Sequence, residues 1–229
     1  MIKFHPDPEQ LSLYVQGGLT PVESLMVRAH CDYCDRCSKV VHEKTVLLGE
    51  KFASENVLAA ETRAVHTSTN LSAIFDEIVK SPASNAVPPP KKMPTTVELD
   101  GRRFVLPRTL RKFISSVGNW SSLVGKVWQA PVKLGGAQIA NLVYIGQHGE
   151  IPEHTHKGVE TTLVLKGEFK DGINAYQPGD YIRMSGTDTH TPYTDSPQGC
   201  LIFSVLDQPL QFTCGIAKFI NPFSAVYFR

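Results

Sequence analysis

Two hydrophobic periodicities divide the chain. Up to about residue 80, apolar positions recur every three to four residues, the spacing of one helix face; beyond about residue 95 they alternate in short runs, the spacing of strands. In the first part Leu11, Tyr14 and Val15 form a stripe stopped by Gly17-Gly18. Asp7 before Pro8, with Gln10 three residues on, predicts a capped helix start. Thr20-Pro21-Val22-Glu23 repeats that signature, and Val22, Leu25, Met26 and Ala29 make the next stripe, with His30 at its end. A third helix is predicted to start near Asp32 to Cys34, with Cys37, Val40, Val41, Thr45 and Leu48 on one side. A fourth, from about Thr67 to Lys80, carries Leu71, Ile74, Phe75 and Ile78. Between them Ser54 to His66 is rich in Ala, Glu and Thr and reads either as helix or as a connector ordered by a partner.

Ser81 to Pro94 has five prolines and almost no core-forming residues, so it reads as a semi-extended linker. Beyond it Val97–Leu99 and Arg103–Val105 flank an Asp100-Gly101 turn, a hairpin pattern. Short strands are expected at Val127–Val132, Gln138–Ile145, Thr161–Phe169, Asp180–Met184, Cys200–Leu206 and Gln211–Ile216. Many short strands at regular intervals predict a sandwich or barrel. The expected organisation is a small all-α domain over residues 1–80, a linker over 81–94 and an all-β domain over 95–229.

Composition changes this picture little. Net charge is +1, which gives no global electrostatic partner, but residues 1–80 hold 8 Lys+Arg against 11 Asp+Glu and are net acidic. The basic residues Lys91, Lys92, Arg102, Arg103, Arg108, Arg111 and Lys112 are spread over linker and hairpin without aromatic interleaving, so they read as a solvated face. The first ten residues carry no apolar signal core, and no apolar run approaches the roughly 18 residues of a membrane helix. Five cysteines, three of them at 31, 34 and 37, do not resemble a secreted disulfide framework. A reducing cytoplasm is expected, where Cys-x2-Cys means metal or redox chemistry.

Two constellations carry candidate chemistry. Cys34 and Cys37 are three residues apart, so at a helix start they share a face, and free N–H groups there favour thiolate. With His30 from the preceding helix end and His5 from the N-terminal arm, they offer two nitrogens and two sulfurs, a set suited to tetrahedral zinc. Cys31-x2-Cys34 is a rival pairing, less attractive because it discards His30. In the second half, His154 and His156 project to one face of a strand, and Glu160 opens the next. His190, from a later strand, would complete three imidazoles and one carboxylate, suited to zinc, iron, manganese, copper or nickel. His42 and His66 read as surface helix residues and His148 as a rim residue. Cys200, Cys214, Trp120 and Trp128 read as packing groups. Tyr181, Arg183 and Tyr193 are candidate pocket-lining groups.

The motif Gly149-x4-His154-x-His156-x3-Glu160-x6-Gly167 resembles the first cupin motif, and Pro178-Gly179-Asp180 with His190 resembles part of the second. The usual Pro-x-Gly-x2-His of that second motif is replaced by Met184-Ser185-Gly186-x3-His190. His30-x3-Cys34-x2-Cys37, with upstream His5, resembles the zinc-binding anti-sigma domain. In this order the two halves resemble the ChrR family of anti-sigma factors over essentially the whole chain. The resemblance implies zinc in the first domain, a second divalent metal in the cupin barrel, and an extracytoplasmic-function sigma factor as partner. It also implies release of that partner on singlet oxygen or organic hydroperoxides, without direct nucleic-acid or membrane contact. The residues leave two other readings: a metal-dependent cupin enzyme of dioxygenase type with a regulatory zinc domain, and a nucleic-acid-binding zinc protein, which the acidic first domain opposes.

Overall fold

The structure, a computed structural model, describes residues 1–63, 71–82, 94–135, 138–186 and 188–213. The helical part comprises α1 (Pro8–Gln16), α2 (Pro21–Cys31), α3 (Asp35–Arg63) and α4 (Leu71–Lys80). Next come β1 (Thr96–Leu99), β2 (Arg102–Val105) and the short α5 (Arg108–Arg111). The remaining strands are β3 (Ser121–Val124), β4 (Val127–Pro131), β5 (Ile139–Ile145), β6 (Gly149–Glu150), β7 (His154–His156), β8 (Glu160–Gly167), β9 (Phe169–Lys170), β10 (Ala175–Tyr176), β11 (Tyr181–Met184), β12 (Thr189–His190), β13 (Tyr193–Thr194), β14 (Cys200–Leu206) and β15 (Leu210–Phe212).

Both predicted capping boxes form. The Asp7 carboxylate accepts from the Gln10 N–H at 2.7 Å, and the Thr20 hydroxyl accepts from the Glu23 N–H at 3.2 Å. Gly17 ends α1 in the left-handed region at φ 72°, which a glycine adopts without steric cost. The helix of Asp35 runs on through the ambiguous stretch to Arg63. Its apolar stripe changes character on the way: Cys37 is buried, Val40 and Val41 are half-buried, and Thr45 and Leu48 are exposed. His66, Thr67–Asn70, most of the linker and Cys214 lie outside the described residues.

The hairpin β1–β2 turns through Asp100 and Gly101, both at positive φ, the type I′ geometry that suits a two-residue loop. A six-stranded sheet in the order β11-β8-β14-β5-β4-β3 faces the β10-β9-β13-β6 and β12-β7-β15 sheets. Its inner face supplies Val127, Val143, Ile145, Val164, Ile182 and Ile202 to a barrel core shared with Phe169, Tyr176, Leu210 and Phe212 of the smaller sheets. The expected strand Thr161–Phe169 is two strands, because Gly167 turns the chain at φ 74° and a Cβ there would collide with the Gly199 carbonyl. Strands β3, β6, β10 and β13 were not expected from the sequence; at two to four residues they carry too few alternations to register.

The outer face of the six-stranded sheet is covered by the helices. Met26, Val27 and Ala29 of α2 belong to the same apolar cluster as Leu142, Tyr144, Leu163, Leu165, Leu201 and Phe203. Tyr33 donates its hydroxyl to the Leu165 carbonyl at 3.1 Å, and the Asp32 carboxylate accepts from the Thr109 N–H at 2.6 Å. α2 is therefore buried around most of its circumference, with Val27 and Cys31 covered as well as the stripe of Val22, Leu25, Met26 and Ala29 that periodicity shows.

Candidate metal centres

The first centre is assembled from three pieces of chain. His5 stands on the arm before the cap of α1, His30 in the last turn of α2, and Cys34 and Cys37 at the start of α3. His5 Nδ1 lies 3.4 Å from His30 Nε2 and 3.5 Å from each of the Cys34 and Cys37 sulfurs. Around a tetrahedral zinc with bonds of about 2.0 Å to nitrogen and 2.3 Å to sulfur, the N–N edges are about 3.3 Å and the N–S edges about 3.5 Å. The residues present therefore fit zinc in both donor chemistry and spacing. All four ligand atoms fall within 4.8 Å of one another.

The surroundings fix the donors. His30 Nδ1 is 2.7 Å from the Gly179 carbonyl, which can only accept, so the proton sits on Nδ1 and the Nε2 lone pair faces the cluster. Burial holds the His30 pKa down at about 4, partly offset by that carbonyl, and the ring is neutral at pH 7. The Cys37 N–H donates to the Cys34 sulfur at 3.5 Å, the place of a capping side chain at the start of α3. Burial, and then the neighbouring Cys34, push the Cys37 thiol up to about 12, so without a cation its proton stays. A bound dication reverses that balance. Cys31 is buried outside the cluster with its thiol raised to about 11, chiefly by burial. The rival Cys31 pairing is thus not the one the fold brings together.

The second centre lies in the barrel. His154 and His156 alternate along β7, β12 sets His190 directly opposite His154, and Glu160 opens β8. His190 Nε2 lies 2.9 Å from His154 Nε2 and 3.3 Å from His156 Nε2, and His156 Nε2 lies 3.1 Å from a Glu160 oxygen. Three ring nitrogens and a carboxylate oxygen thus converge on one point, which neutral imidazoles do when a cation takes their lone pairs. The Pro152 carbonyl accepts from His154 Nδ1 at 2.8 Å and turns Nε2 inward. Burial lowers the pKa of His154 to about 4 and lowers that of His190 as well. For Glu160, burial raises the pKa, but His156, His154 and the Ser204 hydroxyl outweigh it, and the net direction is down. Its Oε1 accepts from Ser204 at 2.5 Å and from Thr162 at 3.0 Å.

All eight residues singled out in the sequence fall into these two clusters. Sequence reasoning missed the groups behind them. Ser204, Thr162 and Asn141 form a row across β8, β14 and β5, and with His154, Glu160 and His190 they line a chamber of about 40 Å³. A polar residue at an inward position of a strand was the available signal. A larger cleft of about 1250 Å³ between arm, α1, α3 and barrel is lined by His5 and Cys37 as well as His190, Tyr181 and Arg183. His42 and His148 are exposed, and Cys200 is fully buried in β14 with its thiol pushed up by burial.

Comparison with known proteins agrees with this layout. The family model described as the ChrR cupin-like domain matches residues 115–209. The anti-sigma-E factor ChrR of Cereibacter sphaeroides is 29% identical over 226 residues, covering 97% of this chain and 98% of that protein. Residues 115–209 thus carry a ChrR cupin-like domain, and the chain is similar to the anti-sigma factor ChrR along nearly its whole length. The crystal structure of Rhodobacter sphaeroides SigE in complex with the anti-sigma ChrR has the same fold, at a TM-score of 0.65 and 24% identity, over 90% of this chain and 100% of that one. An RmlC-like cupin protein from Ralstonia eutropha JMP134 overlaps 51% of this chain and 87% of its own at a TM-score of 0.39 and 14% identity. The expected architecture, a helical region followed by a cupin barrel, stands. Among the described residues no helix is long and apolar enough to cross a membrane.

Proposed function

We propose that the chain is a cytoplasmic anti-sigma factor. Its domain over residues 1–80, nucleated by zinc on His5, His30, Cys34 and Cys37, sequesters an extracytoplasmic-function sigma factor. Its cupin domain over residues 95–229, joined by the linker 81–94, holds a second divalent metal on His154, His156, Glu160 and His190. Singlet oxygen or organic hydroperoxides sensed there release the sigma factor. The likeness to an anti-sigma-E factor over nearly the whole chain supports this reading, and one observation in this chain carries it.

That observation is apolar surface left uncovered on α3 and α4. Leu47 and Phe52 are 64% and 68% exposed, and Phe75 and Ile78 are 65% and 67% exposed, with Val46, Leu48, Ile74 and Val79 beside them. Burying one such side chain is worth about 1.5–3 kcal/mol, so leaving eight in water has a reason in a partner. Each helix presents exposed apolar side chains of the kind an amphipathic helix offers to a partner's groove. Zinc acts upstream of that surface by fixing where α3 starts. Oxidation that removes a ligand lone pair would shift the population away from the binding-competent arrangement, provided that state alone holds the partner.

The test uses the full chain with each extracytoplasmic-function sigma factor of the source genome, purified singly and run together on size exclusion. A 1:1 complex with one of them, lost on Cys34→Ala, is expected. No complex with any, while the chain is folded and zinc-loaded, would sink the proposal. The metal-dependent enzyme is the second reading, favoured by the large cleft that reaches His190. Dioxygen uptake by the iron-loaded chain over a panel of small organic substrates, lost on His154→Ala, would favour it instead.

A further inference from the structure

The turn before β11 holds the N-terminal arm. Asp180 is fully buried, and one of its oxygens accepts from the Lys3 N–H at 2.7 Å and the Phe4 N–H at 3.0 Å. Its other oxygen accepts from the Gln177 N–H at 2.7 Å, which closes its own turn. The Tyr181 N–H then donates to the Phe4 carbonyl at 3.0 Å, which ties the arm to the start of β11. The residue after Phe4 is His5. One position earlier in the turn, the Gly179 carbonyl receives the Nδ1 proton of His30 at 2.7 Å. Gly179 itself is tied to β8 through its N–H and the Val164 carbonyl at 2.9 Å.

Glycine is needed here twice over. Its φ is +93°, and a Cβ would stand 2.5 Å from Ile2 Cδ1 and 2.9 Å from Tyr33 Cβ. The Asp180 side chain could have served its turn with one oxygen. The second is given over to backbone N–H groups more than 170 residues away in sequence, and a buried carboxylate with three such donors is a strong anchor.

We propose that Gly179 and Asp180 are positioning residues for the His5/His30/Cys34/Cys37 metal site, so that the barrel completes the outer shell of the helical domain's metal. The two histidine ligands are aimed by adjacent residues of one turn, while the two cysteines are aimed by α3 alone. The turn leads directly into β11, whose far end pairs Met184 with Glu160 of the second cluster. The four residues of β11 span roughly 13 Å, so one strand has a metal cluster's support at each end. A displacement of β11 caused at Glu160 reaches His5 and His30 through Asp180 and Gly179. The proposal rests on the reading that the His/Cys cluster binds metal.

The test measures the labelling rate of Cys34 and Cys37 by a maleimide in the zinc-loaded full chain, residue by residue by mass spectrometry. The barrel cluster has no thiol, so this readout belongs to the first centre alone; Cys31 labelling and circular dichroism serve as controls on folding. Two variants are compared: Asp180→Asn in the turn and Phe4→Pro in the arm, which removes an N–H that Asp180 accepts and leaves the barrel sequence intact. Labelling at Cys34 and Cys37 at least about 10-fold faster in either folded variant, with zinc affinity weakened about 10- to 100-fold by chelator competition, is expected from loss of an outer-shell contact. A wild type that labels equally with and without chelator would overturn the metal reading and this proposal with it. A chelator-sensitive wild type with unchanged rates in both variants would overturn the positioning role alone.

Discussion

The Ser204 hydroxyl lies 2.5 Å from Oε1 of Glu160, at the floor of the barrel cluster. Ser204 sits on β14, opposite Thr162 of β8 on one side and Asn141 of β5 on the other. The contact leaves Oε2 toward His156 and so decides which oxygen faces the histidines. Ser204→Ala should weaken metal binding at this cluster about 10- to 100-fold, while leaving the His/Cys cluster loaded. Metal analysis of the variant beside wild type, after dialysis against a graded chelator series, reads this directly. Equal retention of both metals would show that Glu160 is oriented by Thr162 alone.

Metal removal should act on the helical domain out of proportion to the rest. Structural zinc contributes on the order of 10 kcal/mol in small domains, comparable with what burial of Leu11, Val22, Leu25, Met26 and Val27 contributes to α1 and α2. Strong chelator, or Cys37→Ala, should therefore reduce the 222 nm ellipticity while the β signal of the barrel stays. A helical signal unchanged by chelation would mean that packing on the barrel sheet suffices.

The exposed face should be separable from the fold. Phe52→Asp and Phe75→Asp place charge on side chains already two-thirds in water, so each should change stability by no more than about 0.5 kcal/mol. Affinity for the sigma factor should fall at least about 10-fold, read by titration calorimetry with the factor identified by size exclusion. Unchanged affinity in both variants would place the partner on another surface.

Acid should destabilise the metal-free chain in a defined window. Burial holds His30 and His154 neutral down to a pKa of about 4, against about 6.5 for an exposed imidazole. Between these values the unfolded chain binds more protons than the folded one, so stability is full above about pH 6.5 and falls as pH drops toward 4. Each imidazole accounts for roughly 3 kcal/mol at the bottom of that window. Urea melts of the metal-free chain at pH 7, 6, 5 and 4 would show the midpoint falling. A flat profile would mean that these rings are more solvated than the packing around them indicates.

Much of the local structure could be read from the residues in order. Asp7 with Gln10, Thr20 with Glu23, and Asp100-Gly101 each specify a cap or turn within four residues, and each forms as expected. Cys34 with Cys37, and His154 with His156, share a face because helix and strand geometry put them there whatever the rest of the chain does. The stripe that runs through Val41 to Leu48 was equally visible, but periodicity only says that a face is apolar. Whether the face is covered depends on which neighbours arrive, and α3 runs past its neighbours before the stripe ends.

The sequence by itself determined the change from helical to strand periodicity and the local pairs Cys34/Cys37 and His154/His156, since these depend on spacings of one turn or one strand; the fold brought His5, His30, Glu160 and His190 to them. The tertiary structure decided which groups stand behind the ligands. His30 meets Gly179 across 149 positions and Phe4 meets Asp180 across 176, contacts made where α2 and the N-terminal arm pack against the barrel. No local propensity encodes such a meeting; it is fixed by shape complementarity between two surfaces that fold from distant parts of the chain.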